Sequence, residues 1–218
     1  ASATTSFDGN NYTIPIGGLT NVDGNLRTAV SNSVTKSGSG VLTLSNANTY
    51  AGPTAVSSGT LVIANSTGSA TGSGPVTVSA GATVSGTGTI AGSVNSNGIV
   101  SPAGNASGTL TFGGNLTLGA TGSLLVQIDG IGVSDQLVVG GSVSIDTAAV
   151  LNATAVNTVH GSTITLVNNN GVTGVTGNFN GLADSAALTL GARPFVIRYT
   201  LGSNNNEIQL IDDTLPLF

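Results

Sequence analysis

The sequence predicts an all-β fold, a right-handed, single-stranded parallel β-helix, and three observations lead to this prediction. Short segments in which apolar and polar residues alternate recur along the whole chain. Turns rich in Gly, Asn and Ser separate these segments, and 33 of the 218 residues are Gly. Aromatic residues make up only 4% of the chain, whereas the cores of β-sandwiches usually contain a few large aromatic side chains.

The alternating segments are short, and each has the period of two that is typical of a strand with one buried face. In chain order they are Tyr12–Ile16, Val41–Leu44, Thr60–Ala64, Pro75–Val78, Gly88–Ile90, Gly98–Val100, Thr109–Phe112, Asn115–Leu118, Ser123–Ile128, Gln136–Val139, Ser142–Ile145, Ala149–Leu151, Thr163–Val167, Ala187–Leu190, Phe195–Tyr199 and Glu207–Ile211. A sandwich or closed barrel stays open as an alternative, but its strands are usually longer. In a β-helix with coils of roughly 20–25 residues, we expect Leu110, Leu116 and Val138 to face inward and form one apolar column.

The stretch from Gly38 to Phe112 strengthens the β-helix prediction. It begins GSGVLTLSNANTYAGPTAVSSGTLVIANSTGSATGSGPVTV and continues to GIVSPAGNASGTLTF. This resembles the autotransporter passenger-associated β-helix repeat, G-x-L-T-L-S-x-x-N-x-Y-x-G-x-T-x-V-x-x-G-T-L. The matching positions are Gly40, Leu42, Thr43, Leu44, Ser45, Asn48, Tyr50, Gly52, Thr54, Val56, Gly59, Thr60 and Leu61.

The resemblance extends over about residues 38–211, and it implies a parallel β-helix that is displayed on, or released from, a bacterial surface. Later motifs of the same kind are DQLVV, VTGNFNGL and FVIRYTLGSNNNEIQL. We therefore expect an N-terminal entry or capping segment at 1–37, the parallel β-helix at 38–211 and a C-terminal tail at 212–218. Autotransporters also carry a C-terminal outer-membrane barrel. We expect this chain to be the passenger part without that barrel, either because the barrel was cut away or because the chain is a free-standing member exported by another route.

Composition excludes several classes of function. The net charge is −5, and the four basic residues are too few and too scattered for the basic patch that nucleic-acid binding needs. No uncharged apolar run reaches the length of about 18 residues that a transmembrane helix requires. The absence of Cys excludes a disulfide framework and a thiolate metal site. Because the chain also lacks Met, we expect that Ala1 was exposed by processing. The composition favours removal of a secretory signal peptide, and loss of the initiator Met alone is the alternative.

The titratable residues do not form a recognisable catalytic set. A glycosidase needs two carboxylates that face each other across a cleft, and the nearest mid-chain pair is Asp129 and Asp135, which we expect to flank a short loop. The one histidine, His160, lies next to Gly161 in a predicted loop. The segment Gly140–Asp146 departs from the calcium-binding nonapeptide pattern. We therefore predict no enzyme, no cofactor and no metal site.

Two classes of function remain. The first is a non-catalytic extracellular structural or surface-interaction protein: a stalk, an adhesin scaffold or a subunit of a fibre assembled end to end. The second is a carbohydrate-binding or polysaccharide-degrading β-helix protein. The expected partners are further copies of the chain, or a host or biofilm surface. The expected assembly contacts are apolar residues near the two ends of the chain, namely Tyr12, Ile14, Ile16, Leu215, Leu217 and Phe218.

Overall fold

The computed structural model describes residues 6–7, 11–15, 19–22, 33–104, 107–130, 133–155, 163–199 and 206–213. These residues form strands and turns, and no helix occurs among them. The strands are β1 Ser6–Phe7, β2 Asn11–Pro15, β3 Leu19–Val22, β4 Ser33–Ser37, β5 Val41–Leu44, β6 Thr54–Val56, β7 Thr60–Ile63, β8 Val76–Val78, β9 Thr83–Gly86, β10 Thr89–Ile90, β11 Val94–Ser96, β12 Ile99–Pro102, β13 Thr109–Phe112, β14 Leu116–Leu118, β15 Ser123–Gly130, β16 Val133–Ser134, β17 Gln136–Val139, β18 Val143–Ile145, β19 Val150–Ala155, β20 Thr163–Asn169, β21 Val175–Gly177, β22 Ala187–Leu190, β23 Arg193–Arg198 and β24 Glu207–Asp212.

The strands stack into three sheets. Sheet A has the order β1-β2-β4-β6-β8-β11-β14-β18-β21. Sheet B has the order β16-β15-β12-β9-β7-β5-β3, with β19 paired to β15, and sheet C has the order β10-β13-β17-β20-β24-β23-β22. From β8 to β21 the chain passes through sheets A, B and C in turn, and strands of successive coils pair in parallel. This confirms the predicted all-β parallel solenoid.

Alternation along each short strand places the core inside the coils. In β5 and β7 every second side chain is buried, and in β8, β11, β14 and β18 the two outer residues of each triplet are buried. Leu110 and Leu116 lie in the core as expected. The prediction for Val138 was wrong: Leu137 and Val139 are the buried residues of β17, and Val138 faces outward between them. Because the period is two, an error of one residue reverses the face.

The coils lengthen toward the C terminus. Residues that hydrogen-bond between adjacent coils are 22 apart at Asn48 and Ala70, 27 apart at Asn115 and Ser142, and 33 apart at Val143 and Thr176. The expected coil length therefore holds only in the first part of the solenoid. The additional residues form the hairpin of β15 and β16 and the long strands β19 and β20.

Both ends of the solenoid contain antiparallel strands. At the N-terminal end β1 pairs antiparallel with β2, and β2 in turn pairs in parallel with β4. All three strands lie within the predicted entry segment at 1–37. At the C-terminal end β24 pairs antiparallel with β20 and β23, and β23 pairs antiparallel with β22. Phe195, Ile197 and Leu210 of this meander are buried in the same core as the coils. The meander thus continues sheet C past the last parallel strand.

Candidate functional site

The outward side of sheet A is a regular polar surface. The central residues of five consecutive strands, Thr77, Asn95, Thr117, Ser144 and Thr176, are opposite one another in register and are exposed. We call these five residues the polar face. Neighbouring strands of a sheet are about 4.8 Å apart, so the face presents hydroxyl and amide groups at a constant interval. None of its members is charged.

The three basic residues of the described chain each contact acceptor groups of the protein itself. The side chain of Lys36 is fully buried, and its Nζ donates to the carbonyl oxygens of Ser37, Gly38 and Ser58 at 3.1, 2.8 and 2.9 Å. Burial lowers the pKa of Lys36. Arg193 pairs with the buried Asp212 at 3.1 Å, and Arg198 lies 3.4 Å from Asp184. No basic patch is formed by these three residues.

Asp129 and Asp135 flank the turn of the β15–β16 hairpin, as expected. The Asp135 carboxylate is 1% exposed and accepts hydrogen bonds from the backbone N–H groups of Gly108, at 3.1 Å, and Gln127, at 2.9 Å. Burial raises the pKa of Asp135 to about 6, although those two hydrogen bonds act in the opposite direction. Hydrogen bonds from the side chains of Ser107 and Gln127 lower the pKa of Asp129.

The hydrogen bonds from Ser107 and Gly108 attach the hairpin to the residues just before β13. A glycosidase would need its carboxylates free toward a cleft, whereas both of these carboxylates are engaged by neighbouring donors. Asp146, in the stretch compared with a calcium loop, accepts a hydrogen bond from Ala148 N at 2.9 Å within its turn. Within the described ranges, no group of three or more His, Asp or Glu side chains is placed to hold a metal ion.

A shallow groove lies where the chain passes from sheet C to sheet A. It is lined by Asn115, Gly140, Gly141, Ser142 and the segment 170–173. Asn169 holds this segment through Gly171 N and Thr173 O, and Asn206 donates to Gly171 O. Val172 is fully exposed at its tip. The lining residues are neither charged nor aromatic.

Several residues singled out from the sequence lie outside the described chain. They are His160, Ile16, Leu215, Leu217 and Phe218. Tyr12 and Ile14 lie in β2, where their backbones pair with Val34 and Lys36. The assembly role expected for Tyr12, Ile14, Ile16, Leu215, Leu217 and Phe218 therefore stays a prediction.

The sequence did not predict the Lys36 cage, that is, the three carbonyl oxygens of Ser37, Gly38 and Ser58 that surround the Lys36 ammonium group. A signal for it exists, because Val34 and Lys36 occupy alternate positions of one short strand and must face the same side. The sequence also did not predict the buried polar pair in which the Tyr50 and Thr54 hydroxyl oxygens are 2.6 Å apart. Burial raises the pKa of Tyr50 to about 12. Both residues lie within the repeat pattern quoted above.

Residues 34–63 match the family model described as the passenger-associated-transport-repeat. The chain carries a passenger-associated-transport-repeat. This match and the β-solenoid together fit an autotransporter passenger β-helix repeat protein, which confirms the resemblance seen in the sequence. The repeat is not known as a catalytic family, and it implies an extracellular or cell-surface protein.

The matched residues cover β4 to β7, that is, two strands each of sheets A and B with the Lys36 cage and Tyr50. No curated protein matches the chain. Among the described residues, no helix is present that is long and apolar enough to cross a membrane.

Proposed function

We propose that this chain is a non-catalytic extracellular passenger solenoid with a structural or surface-interaction role: a stalk, an adhesin scaffold or a fibre subunit. The observation that carries the proposal is the polar face, an uncharged and regularly spaced surface on a rigid stack of coils. The passenger-associated repeat at residues 34–63 supports an extracellular location. Export with removal of a signal peptide is part of this proposal.

The chemistry of the polar face suits contact with another surface over a large area. Hydroxyl and amide groups exchange hydrogen bonds with water at little net cost, so each contact is weak, but many contacts repeat along the rod. The near absence of charge gives little electrostatic steering. We therefore propose host or biofilm surfaces as partners, to which the solenoid binds through many weak contacts.

Lysine substitutions test this role. Inert beads coated with the purified chain are expected to adhere to a biofilm. The variant Thr77→Lys/Thr117→Lys/Thr176→Lys should reduce the fraction of attached beads at least about tenfold, because the affinity losses at many weak contacts combine multiplicatively. The matched control, Thr43→Lys/Thr83→Lys/Ser123→Lys, adds the same charge to the outward side of sheet B. Equal adhesion of the two variants would remove the polar face from the proposal.

The carbohydrate alternative has the groove around Gly141 and Val172 in its favour. Its uncharged amide and glycine lining suits a neutral hydroxylated ligand, but cleavage would need an acid–base pair that the described lining does not supply. A panel of polysaccharides incubated with the chain should release no reducing ends and no unsaturated products. Product release that disappears in Asp129→Asn/Asp135→Asn would overturn the non-catalytic proposal.

The fibre form of the proposal adds contact between copies of the chain. The tail residues Leu215, Leu217 and Phe218 supply apolar side chains next to a polar stretch, and such a segment can add to a neighbour as a strand or plug. Head-to-tail contact that does not close into a ring produces an open filament. In this form, deletion of residues 214–218 weakens assembly without unfolding the monomer.

A further inference from the structure

Three Asn-Gly pairs occur in the sequence, at 97–98, 170–171 and 180–181. In such a pair the side-chain carboxamide can react with the backbone nitrogen of the following residue, because glycine has no side chain to obstruct the approach. The reaction needs a nitrogen that is free of hydrogen bonds and a backbone with room to move. The asparagine is exposed in all three pairs, so the surroundings of the glycine distinguish them.

The glycines of the first two pairs are enclosed, and their nitrogens are engaged. Gly98 N donates to Ser96 Oγ at 3.2 Å, and Gly171 N donates to Asn169 Oδ1 at 2.9 Å. Both glycines are buried. A Cβ added to either of them would overlap a backbone oxygen of another residue. The packing of the coils therefore holds these two pairs in one conformation.

The pair Asn180-Gly181 forms the tip of a tight turn and is free of both restraints. Both residues are exposed, and Gly181 has a φ of 71°. Leu182 N donates to Phe179 O at 2.9 Å across the turn, and Asn180 N donates to Ala149 O at 2.7 Å. Among the described residues, none accepts a hydrogen bond from Gly181 N or binds the Asn180 carboxamide. A Cβ added to Gly181 would have no atom within 4 Å.

We propose that Asn180 is a deamidation site, at which Gly181 N attacks the side-chain Cγ of Asn180. The new N–C bond closes a five-membered succinimide ring. The proton of Gly181 N passes through water to the leaving amide nitrogen, which departs as ammonia. Water then opens the ring at either carbonyl and produces aspartate or isoaspartate at position 180. Both products add a negative charge, and isoaspartate also adds one atom to the backbone of the turn. This chemistry is independent of the proposed surface role.

The additional backbone atom loosens the attachment of the C-terminal meander. The two ends of the turn hold Tyr199, whose hydroxyl accepts from Phe179 N at 3.0 Å and donates to Leu182 O at 2.7 Å. Both contacts depend on the separation of Phe179 and Leu182, which the hydrogen bond across the turn fixes. Isoaspartate changes that separation, so the Tyr199 hydroxyl cannot keep both partners. Conversion at position 180 thus weakens the contact between the last coil and β22 to β24.

Peptide mapping by mass spectrometry, after incubation of the full chain in mildly alkaline buffer, tests the site. Each conversion exchanges an amide nitrogen for an oxygen, and fragmentation of the peptide backbone distinguishes isoaspartate from aspartate. We expect Asn180 to convert at least about tenfold faster than Asn97 or Asn170, because those two pairs must first break a hydrogen bond and open. Equal rates at the three asparagines, or aspartate without isoaspartate at position 180, would overturn the proposal.

Hydrogen exchange tests the effect on the meander. The aged parent chain should exchange about tenfold faster than the fresh chain in β22 to β24, and at the same rate in β7 to β12. Asn180→Gln, aged in the same way, is the control, because glutamine closes a six-membered ring much more slowly. Fresh Asn180→Asp adds the charge without the additional backbone atom. Both variants should exchange like the fresh parent.

The outcomes separate the site from its effect. Conversion at position 180 with unchanged exchange in β22 to β24 would overturn the loosening of the meander and leave the deamidation site in place. Accelerated exchange in aged Asn180→Gln would show that another change loosens the meander. Accelerated exchange in fresh Asn180→Asp would assign the effect to the charge and overturn the role of the additional backbone atom.

Discussion

At the scale of single residues, the fold buries the positive charge of Lys36 and does not expose it on the surface. Lys36 faces the interior, and three carbonyl oxygens replace the water around its ammonium group. Hydrogen bonds to a charged group are stronger than neutral ones, and this compensates for burial of the charge. The outward surface of sheet A is left free of positive charge, which is the property on which the proposed surface contact depends.

Asp135 predicts an unusual dependence of stability on pH. Its pKa is about 6 in the fold, above its ordinary value of 3.8, so the folded state binds the proton more tightly than the unfolded state. The contribution of Asp135 to stability is therefore fully present below about pH 4 and is lost as the pH rises through 6. Relative to Asp135→Asn, the parent chain should gain ~1 kcal/mol in free energy of unfolding between pH 7.5 and pH 5.

Urea unfolding at both pH values measures this difference. Asp129 acts in the opposite direction, because its lowered pKa gives stability that is lost as the pH falls. The comparison with Asp135→Asn removes that contribution, which both chains share. A difference between the two chains that does not change with pH would contradict the assigned cause.

At the scale of strands, period-two alternation decides which substitutions the solenoid tolerates. Leu116 is 1% exposed and its neighbour Thr117 is exposed on the polar face. Leu116→Asp buries an unpaired charge and should lower the free energy of unfolding by more than about 4 kcal/mol, whereas Thr117→Asp should change it by less than ~1 kcal/mol. Thermal unfolding of the two variants provides the measurement, and similar Tm values would show that the faces of β14 are assigned wrongly.

Much of this strand-level organisation could be predicted from the sequence. The alternation and the repeat pattern were sufficient for the solenoid, for the faces of Leu110 and Leu116, and for the turn between Asp129 and Asp135. QLVV is ambiguous because Leu137, Val138 and Val139 are all apolar, and only pairing with β13 fixes which of them faces inward. The antiparallel pairing of β22 to β24 was missed because local alternation is the same in parallel and antiparallel strands.

Glycines that precede the strands of sheet A are a further sequence signal of the coils. Gly52, Gly74, Gly92, Gly114 and Gly141 each precede a sheet A strand by two residues. A Cβ on Gly74 would lie 2.0 Å from Gly52 O, and one on Gly92 would lie 2.0 Å from Gly74 O. The coils approach so closely at this corner that a side chain cannot be accommodated. The spacing Gly-x-strand therefore marks the passages from one coil to the next that lead into β6, β8, β11, β14 and β18.

Two alanine substitutions separate this close approach from backbone conformation. Gly74→Ala forces the backbones of two coils apart and should cost more than about 3 kcal/mol. Gly81 has a positive φ of 78° with no atom within 4 Å of an added Cβ, so Gly81→Ala should cost only about 1 kcal/mol, from the left-handed conformation. Chemical denaturation measures both values. Equal costs would show that the close approach of the two coils does not require glycine at position 74.

At the scale of the whole molecule, the solenoid is a series of coils that each contact only their neighbours, so stability is local. The C-terminal meander is attached to the last coil by Tyr199, whose hydroxyl donates to Leu182 O at 2.7 Å and accepts from Phe179 N at 3.0 Å. Burial raises the pKa of Tyr199 to about 12, in agreement with a hydroxyl enclosed in the core. Phe179 and Tyr199 also pack ring against ring, with centroids 6.4 Å apart.

Tyr199→Phe tests whether the rod loses its structure from this end. The substitution keeps the ring but leaves Phe179 N and Leu182 O without their partner, at a cost of about 1–3 kcal/mol. Because the coils are coupled only through neighbours, hydrogen exchange should accelerate in β20 to β24 and stay unchanged in β7 to β12. Asp184→Ala, which removes the acceptor of Tyr199 N near the protein surface, should accelerate exchange in the same strands but to a smaller extent. A uniform increase along all strands would instead show that the molecule opens as one cooperative unit, and the meander would then contribute to the stability of every coil.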